Sequence, residues 1–132
     1  MSETDAQPRK KFCNIGAPAC FALEMACKVL NDAFDGQCYV VGSVLQRPDW
    51  RDVDVRLMMD DAAFSALFPD VADLRYGHWE FDPRWTVMTV SLSAWLRAQT
   101  GLPVDFQFQP SSFANQRHKG SRNAIGMRVK GL

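Results

Sequence analysis

A chain of 132 residues, 47% of them apolar and 11% aromatic, has the length of one domain and enough apolar material for one packed core. Lys plus Arg and Asp plus Glu each number 15, so the net charge is zero, which excludes a uniformly basic coat for non-specific nucleic-acid binding but leaves room for a local basic patch. The start, Met1-Ser2-Glu3-Thr4-Asp5, is acidic and has no apolar h-region, and no apolar run approaches the roughly 20 residues of a membrane span, so a soluble, cytoplasmic protein is expected.

Residues 1–12, with Pro8 and Arg9-Lys10-Lys11, read as a flexible N-terminus. A helix is predicted from Pro18 to about Asp35: proline suits a first helical position, Leu23, Cys27 and Leu30 recur at helical spacing, and Gly36 is a stop. Gln37 to Leu45 reads as a strand with Tyr39-Val40-Val41 buried, and Asp52 to Met59 as a second strand. The link through Gln46-Arg47-Pro48-Asp49-Trp50 is short, which makes the two strands antiparallel neighbours. Asp60-Asp61 begins a short helix through Phe68, where acidic side chains suit the helix dipole. Residues 70–81 carry a weaker signal, with a short strand expected around Tyr76 to Phe81.

The sharpest boundaries follow. Asp82 caps a helix, Pro83 enters its first turn, Trp85, Met88, Leu92, Trp95 and Leu96 form an apolar stripe, and Gly101 and Pro103 close it. Val104 to Gln109 is a further strand, and Ser111 or Ser112 is expected to cap a short helix around Phe113 to Arg117. Residues 117–132 form a basic tail (Arg117, Lys119, Arg122, Arg128, Lys130), with no acid after Asp105. This order predicts a single α/β (α+β) domain, a small mixed sheet covered by helices. The 4 cysteines include three spaced seven residues apart at 13, 20 and 27, with neither His78 nor His118 nearby, which matches no zinc pattern and suits small buried thiols.

The chemistry concentrates in Arg51-Asp52-Val53-Asp54-Val55-Arg56. Strand side chains alternate, so Asp52 and Asp54 share one face while Val53 and Val55 enter the core. Carboxylates held this close repel, which raises the pKa of at least one unless a cation intervenes. A hard divalent ion relieves that repulsion and prefers oxygen ligands. Asp-x-Asp alone is compatible with an ordinary solvated strand edge. Three features point further: Gly42-Ser43 stands at the exit of the preceding strand, where glycine permits close approach to a ligand and serine can grip phosphate oxygens. Asp105 lies between Val104 and Phe106 in a strand read as central, where an unpaired carboxylate is costly. Gln107 and Gln109 continue its polar face. Arg56 shares the face of the two acids and could pair with them or reach a phosphate. His78 is read as a structural or loop contact, and His118, within the basic stretch, could touch phosphate although a single histidine is weak grounds.

Gly42-Ser43, then Asp52-Val53-Asp54-Val55, then Val104-Asp105-Phe106 resembles the signature of the DNA polymerase β-like nucleotidyltransferase superfamily, across about residues 18–109. The eight residues between Ser43 and Asp52 are at the short end of that family's range. The stretch Ala114-Asn115, Arg117-His118-Lys119-Gly120, Arg122-Asn123 and Ile125-Gly126 is similar to small stand-alone members from bacteriophages and bacteria. The resemblance implies a palm-like core and magnesium (or manganese) held by Asp52, Asp54 and Asp105. It further implies that Asp105 acts as or orients a general base, and that Gly42 and Ser43 hold the β- and γ-phosphates of an NTP such as ATP. Arg117, Lys119 and Arg122 are candidates, by charge, to meet phosphate or an acidic acceptor, the alternative being a merely solvated basic tail, and Arg56 to reach the triphosphate if it does not pair with the acids.

The function expected is transfer of a nucleoside monophosphate from an NTP to a hydroxyl of a protein, an RNA or a small molecule, with release of pyrophosphate. A catalytically silent module binding nucleotide or RNA through the basic tail is the alternative, although a binder has little use for mutually repelling acids. A purely structural protein with an apolar oligomer interface does not explain Asp105.

Overall fold

The structure is a computed structural model and describes residues 14–126. The expected flexible N-terminus 1–12, Cys13, and residues 127–132 with Arg128 and Lys130 lie outside them. In chain order the elements are α1 (Ala19–Phe34), β1 (Gln37–Val41), a 3-10 turn (Ser43–Leu45), β2 (Val53–Met59), α2 (Asp61–Leu67), a 3-10 turn (His78–Phe81), α3 (Pro83–Thr100), β3 (Val104–Pro110), α4 (Ser111–Arg117) and β4 (Arg122–Ile125). The four strands form one mixed sheet in the order β3-β2-β1-β4, with β2 and β3 parallel and the other pairs antiparallel. The expected α/β (α+β) class is the class observed.

Period-two alternation divides the sheet into two chemically different faces. Cys38, Val40, Val53, Val55, Leu57, Val104, Phe106, Phe108 and Ile125 turn one way and are fully buried in the main core with α1, α2 and α3. An aromatic chain extends that core: Phe34 and Phe68 both meet Phe108 edge-on, and Phe64 joins Phe68 to Trp79, which meets Phe113. Truncating such a ring typically costs about 3–5 kcal/mol, so this side sets the stability of the domain. The opposite face carries Asp54, Arg56, Asp105, Gln107 and Gln109, and among the described residues α4 covers part of it, through a small cluster of Val41, Met58 and Ala114 with Tyr39.

Several expectations need correction. The first predicted strand stops at Val41, because Gly42 adopts φ +83° and the chain turns there into the 3-10 turn. No strand forms around Tyr76 to Phe81, where Gly77 instead leads into the His78–Phe81 turn and seats Trp79 in the core. The basic tail is partly sheet: β4 pairs with β1, and the buried Asn31 side chain clips it down by donating to Ile125 O and Gly126 O while accepting from Cys38 N–H. Neither Ser111 nor Ser112 caps α4 with its side chain. Ser111 Oγ donates to Met59 O at 2.8 Å, and the Asp61 carboxylate accepts from Ser112 N–H at 3.0 Å. Asp61 thus serves the start of α4 as well as that of its own helix.

The third strand is an edge strand, not a central one, yet its outer edge is closed. On α3 the residues Trp85, Ser93 and Arg97 fall on one side at multiples of four residues and bond the outward backbone of β3. Trp85 Nε1 donates to Phe108 O, Ser93 Oγ bonds both the N–H and the C=O of Phe106, and Arg97 Nε donates to Val104 O. This explains why Thr89 and Ser93 are buried beside Trp85 and Leu96, while Met88, Leu92 and Trp95 of the expected stripe are only half-buried. Asp82 caps the helix as expected, accepting from Trp85 N–H at 2.9 Å.

Candidate active site

Register brings the predicted acids together. Asp54 and Asp105 are direct partners across the parallel β2–β3 pair, each the second residue of its strand. Val41 is opposite Asp54 on β1, and Arg122 is opposite Val41 on β4, so Arg122, Val41, Asp54 and Asp105 form one row across the open face. Asp52 stands exposed just before β2 and is near enough for its charge to act on Asp54. Parallel pairing of β2 with β3 is what places both acids at the same end of the sheet.

Gly42 is there for a steric reason. A Cβ added to it would come 2.6 Å from Asp54 Oδ2, and its backbone (φ +83°, ψ −157°) lies in a region essentially reserved for glycine. The glycine therefore lets the β1 exit run against the Asp54 carboxylate. Ser43, half-buried, opens the 3-10 turn, the first N–H groups of which have no acceptor within the turn.

Arg56 lies two residues beyond Asp54 on the same face, in a buried position with 11% of its side chain exposed. Its Nη2 is 3.4 Å from Asp105 Oδ2 and 3.9 Å from Asp54 Oδ1, the Asp105 contact being the closer one. Its Nη1 donates to Asp105 O at 2.7 Å and to Val55 O at 3.2 Å. Of the two roles open to it, pairing with the acids is the one the structure displays. The carboxylates differ in exposure, 28% for Asp54 and 48% for Asp105. Asp105 is therefore not the buried lone acid that a central strand would have made it. Burial pushes the Asp54 carboxyl above its ordinary value, Arg56 draws it back, and the charges of Asp105 and Asp52 raise it further. Among the described residues, no group of three or more His, Cys, Asp or Glu side chains is gathered closely enough to form a ready-made metal cage.

The basic residues separate into two groups. Arg122 turns away from the acids, donating to Asn115 Oδ1 at 3.0 Å and lying 4.7 Å over the Tyr39 ring. Lys119 stands exposed in the loop between α4 and β4, and Arg117 is exposed at the end of α4. His118 shares a hydrogen bond with Gln109 Oε1 at 3.1 Å. Burial, then the charges of Arg56, Arg117 and Arg122, lower its pKa to about 4. Tyr39 belongs to this neighbourhood without having been legible there, whereas Asn115 and His118 fall in the tail stretch that the sequence singles out. Tyr39 sits in a run that reads as wholly buried, and only its register with Arg56 reveals that it faces outward. His78 is exposed beside Tyr76, and with residues 70–73 and 81–83 it lines a separate cleft of about 300 Å³.

No protein-family model, curated protein or solved structure matches this chain. The functional argument therefore rests on the site itself.

Proposed function

We propose that the protein is a metal-dependent nucleotidyltransferase of the DNA polymerase β-like kind, moving a nucleoside monophosphate from an NTP to an acceptor hydroxyl. One observation carries the proposal: Asp54 and Asp105 are register partners on one open face, with Gly42 shaped to sit against Asp54. A structural sheet has no need to set opposed carboxylates on one face and to place a positive-φ glycine against one of them.

Asp54 and Asp105, with Asp52 just before β2, offer oxygen ligands that a hard divalent cation would take together with the phosphates, and burial and then the neighbouring carboxylates hold the Asp54 pKa above its ordinary value, a cost such an ion would offset. When bound, magnesium or manganese would neutralise phosphate oxygens and align the attack. The protein's own groups do the rest. Gly42 and Ser43 hold the terminal phosphates, Asp105 takes the proton of the acceptor hydroxyl, and that oxygen bonds to the α-phosphorus as the bond to the β-phosphate oxygen breaks. Pyrophosphate leaves. Lys119, Arg117 and Arg122 are assigned, by their charge, to meeting a phosphate-bearing or acidic acceptor, an RNA or a protein.

The silent binding module is the second reading, favoured by the Arg56 guanidinium lying between Asp54 and Asp105. Both readings meet one experiment: incubation of the protein with each α-labelled NTP, Mg²⁺ or Mn²⁺ and host-cell lysate, beside Asp54→Asn. Metal-dependent labelling of an RNA or protein band, lost in the variant, supports the transferase. Nucleotide binding without labelling supports the module.

A further inference from the structure

We infer that Arg56 is a built-in cation that keeps the carboxylate row from taking a divalent ion by itself, so that metal and nucleotide triphosphate enter together. The inference rests on the transferase reading and adds to it an order of binding.

The geometry around Arg56 is that of a fixed charge. Two backbone carbonyls, Asp105 O and Val55 O, hold Nη1, while Nη2 faces Asp105 Oδ2 and, farther off, Asp54 Oδ1. The side chain is enclosed by the sheet face, and its planar guanidinium is a cation with donors only. A divalent ion placed on Asp54 and Asp105 would stand within a few ångströms of that positive charge, in a half-buried site where screening is weak. The guanidinium also occupies oxygen lone pairs that the ion would use. A triphosphate reverses the balance, since its negative oxygens supply ligands to the ion and charge to Arg56 at once. Metal affinity and nucleotide affinity then strengthen one another by the same factor, as linkage requires.

A purely structural Arg56, stapling β2 to β3, would affect folding without affecting metal affinity. The two roles separate in a titration of Mn²⁺ followed by paramagnetic broadening of the backbone amides at 54 and 105, with and without α,β-methylene ATP. In the wild-type protein, binding of Mn²⁺ alone should be weak and should tighten about tenfold or more with the nucleotide analogue, within the usual span of coupling between sites. Arg56→Met should bind Mn²⁺ alone about tenfold more tightly than wild type, whereas Arg56→Lys, which keeps the charge, should resemble wild type. Equal Mn²⁺ affinity in wild type and Arg56→Met overturns the inference. So does wild-type protein that binds Mn²⁺ as tightly alone as with nucleotide, a result that needs no variant to fold. Both outcomes leave the transferase reading standing. Absence of broadening even with the analogue overturns that reading and this inference together.

Discussion

Substitution of Gly42 by alanine tests the link between the β1 exit and the carboxylate row most directly. Two costs arise, one from the backbone and one from the neighbouring acid. At φ +83° and ψ −157° a residue with a Cβ is strained by about 1–3 kcal/mol. The new methyl would also lie 2.6 Å from Asp54 Oδ2, so Asp54 must leave its rotamer at a further cost of about 0.5–1.5 kcal/mol. Together these predict a loss of about 2–4 kcal/mol and a fall in Tm of roughly 5–15 °C for a domain of this size. Thermal and urea unfolding measure it, with Gly120→Ala as the control. Nothing lies within 4 Å of a Cβ at Gly120, so its variant should stay within about 0.5 kcal/mol of wild type. Transferase activity should fall in Gly42→Ala more than stability does, because the displaced group is Asp54. A Gly42→Ala protein that melts with wild type would refute the steric account of this turn.

Three further outcomes follow from the same geometry. The Asp54 carboxyl titrates above its ordinary value, so the folded state retains a proton that the unfolded state releases, and stability falls as pH rises through that window. Asp54→Asn should therefore resist urea better than wild type at neutral pH and converge with it below the ordinary carboxylate range, while losing activity; equal midpoints at neutral pH would contradict this. His118 behaves in the opposite sense: with a folded pKa of about 4 against an ordinary 6.5, it costs stability as pH falls through that interval, and its ring protons should titrate near 4 by NMR, not near 6.5. Ser93→Ala should leave the buried N–H of Phe106 without its partner and destabilise the fold by about 1–3 kcal/mol in urea, and a change below about 0.5 kcal/mol would show that water replaces the hydroxyl.

What the sequence by itself determined is local chemistry with a clear period. Alternation along Val53–Met59 and Val104–Pro110 separated the core residues from Asp54, Arg56, Asp105 and Gln107, because a strand offers its side chains only two directions. The cap at Asp82 and the helix it begins were equally legible, since the signals are neighbours in the chain. Pairing is another matter. That β3 is an edge strand, that it runs parallel to β2, and that Asp105 therefore faces Asp54 depend on how α3 crosses the sheet, which no short window of residues encodes. The same holds for β4, whose four residues of weak strand character are held by β1 and by Asn31 from the far end of the chain. It holds also for the position of Arg56, which the period puts on the right face and only the parallel register puts between two carboxylates. Local backbone preferences are decided within a few residues; partners distant in sequence are selected by the packing of the whole domain.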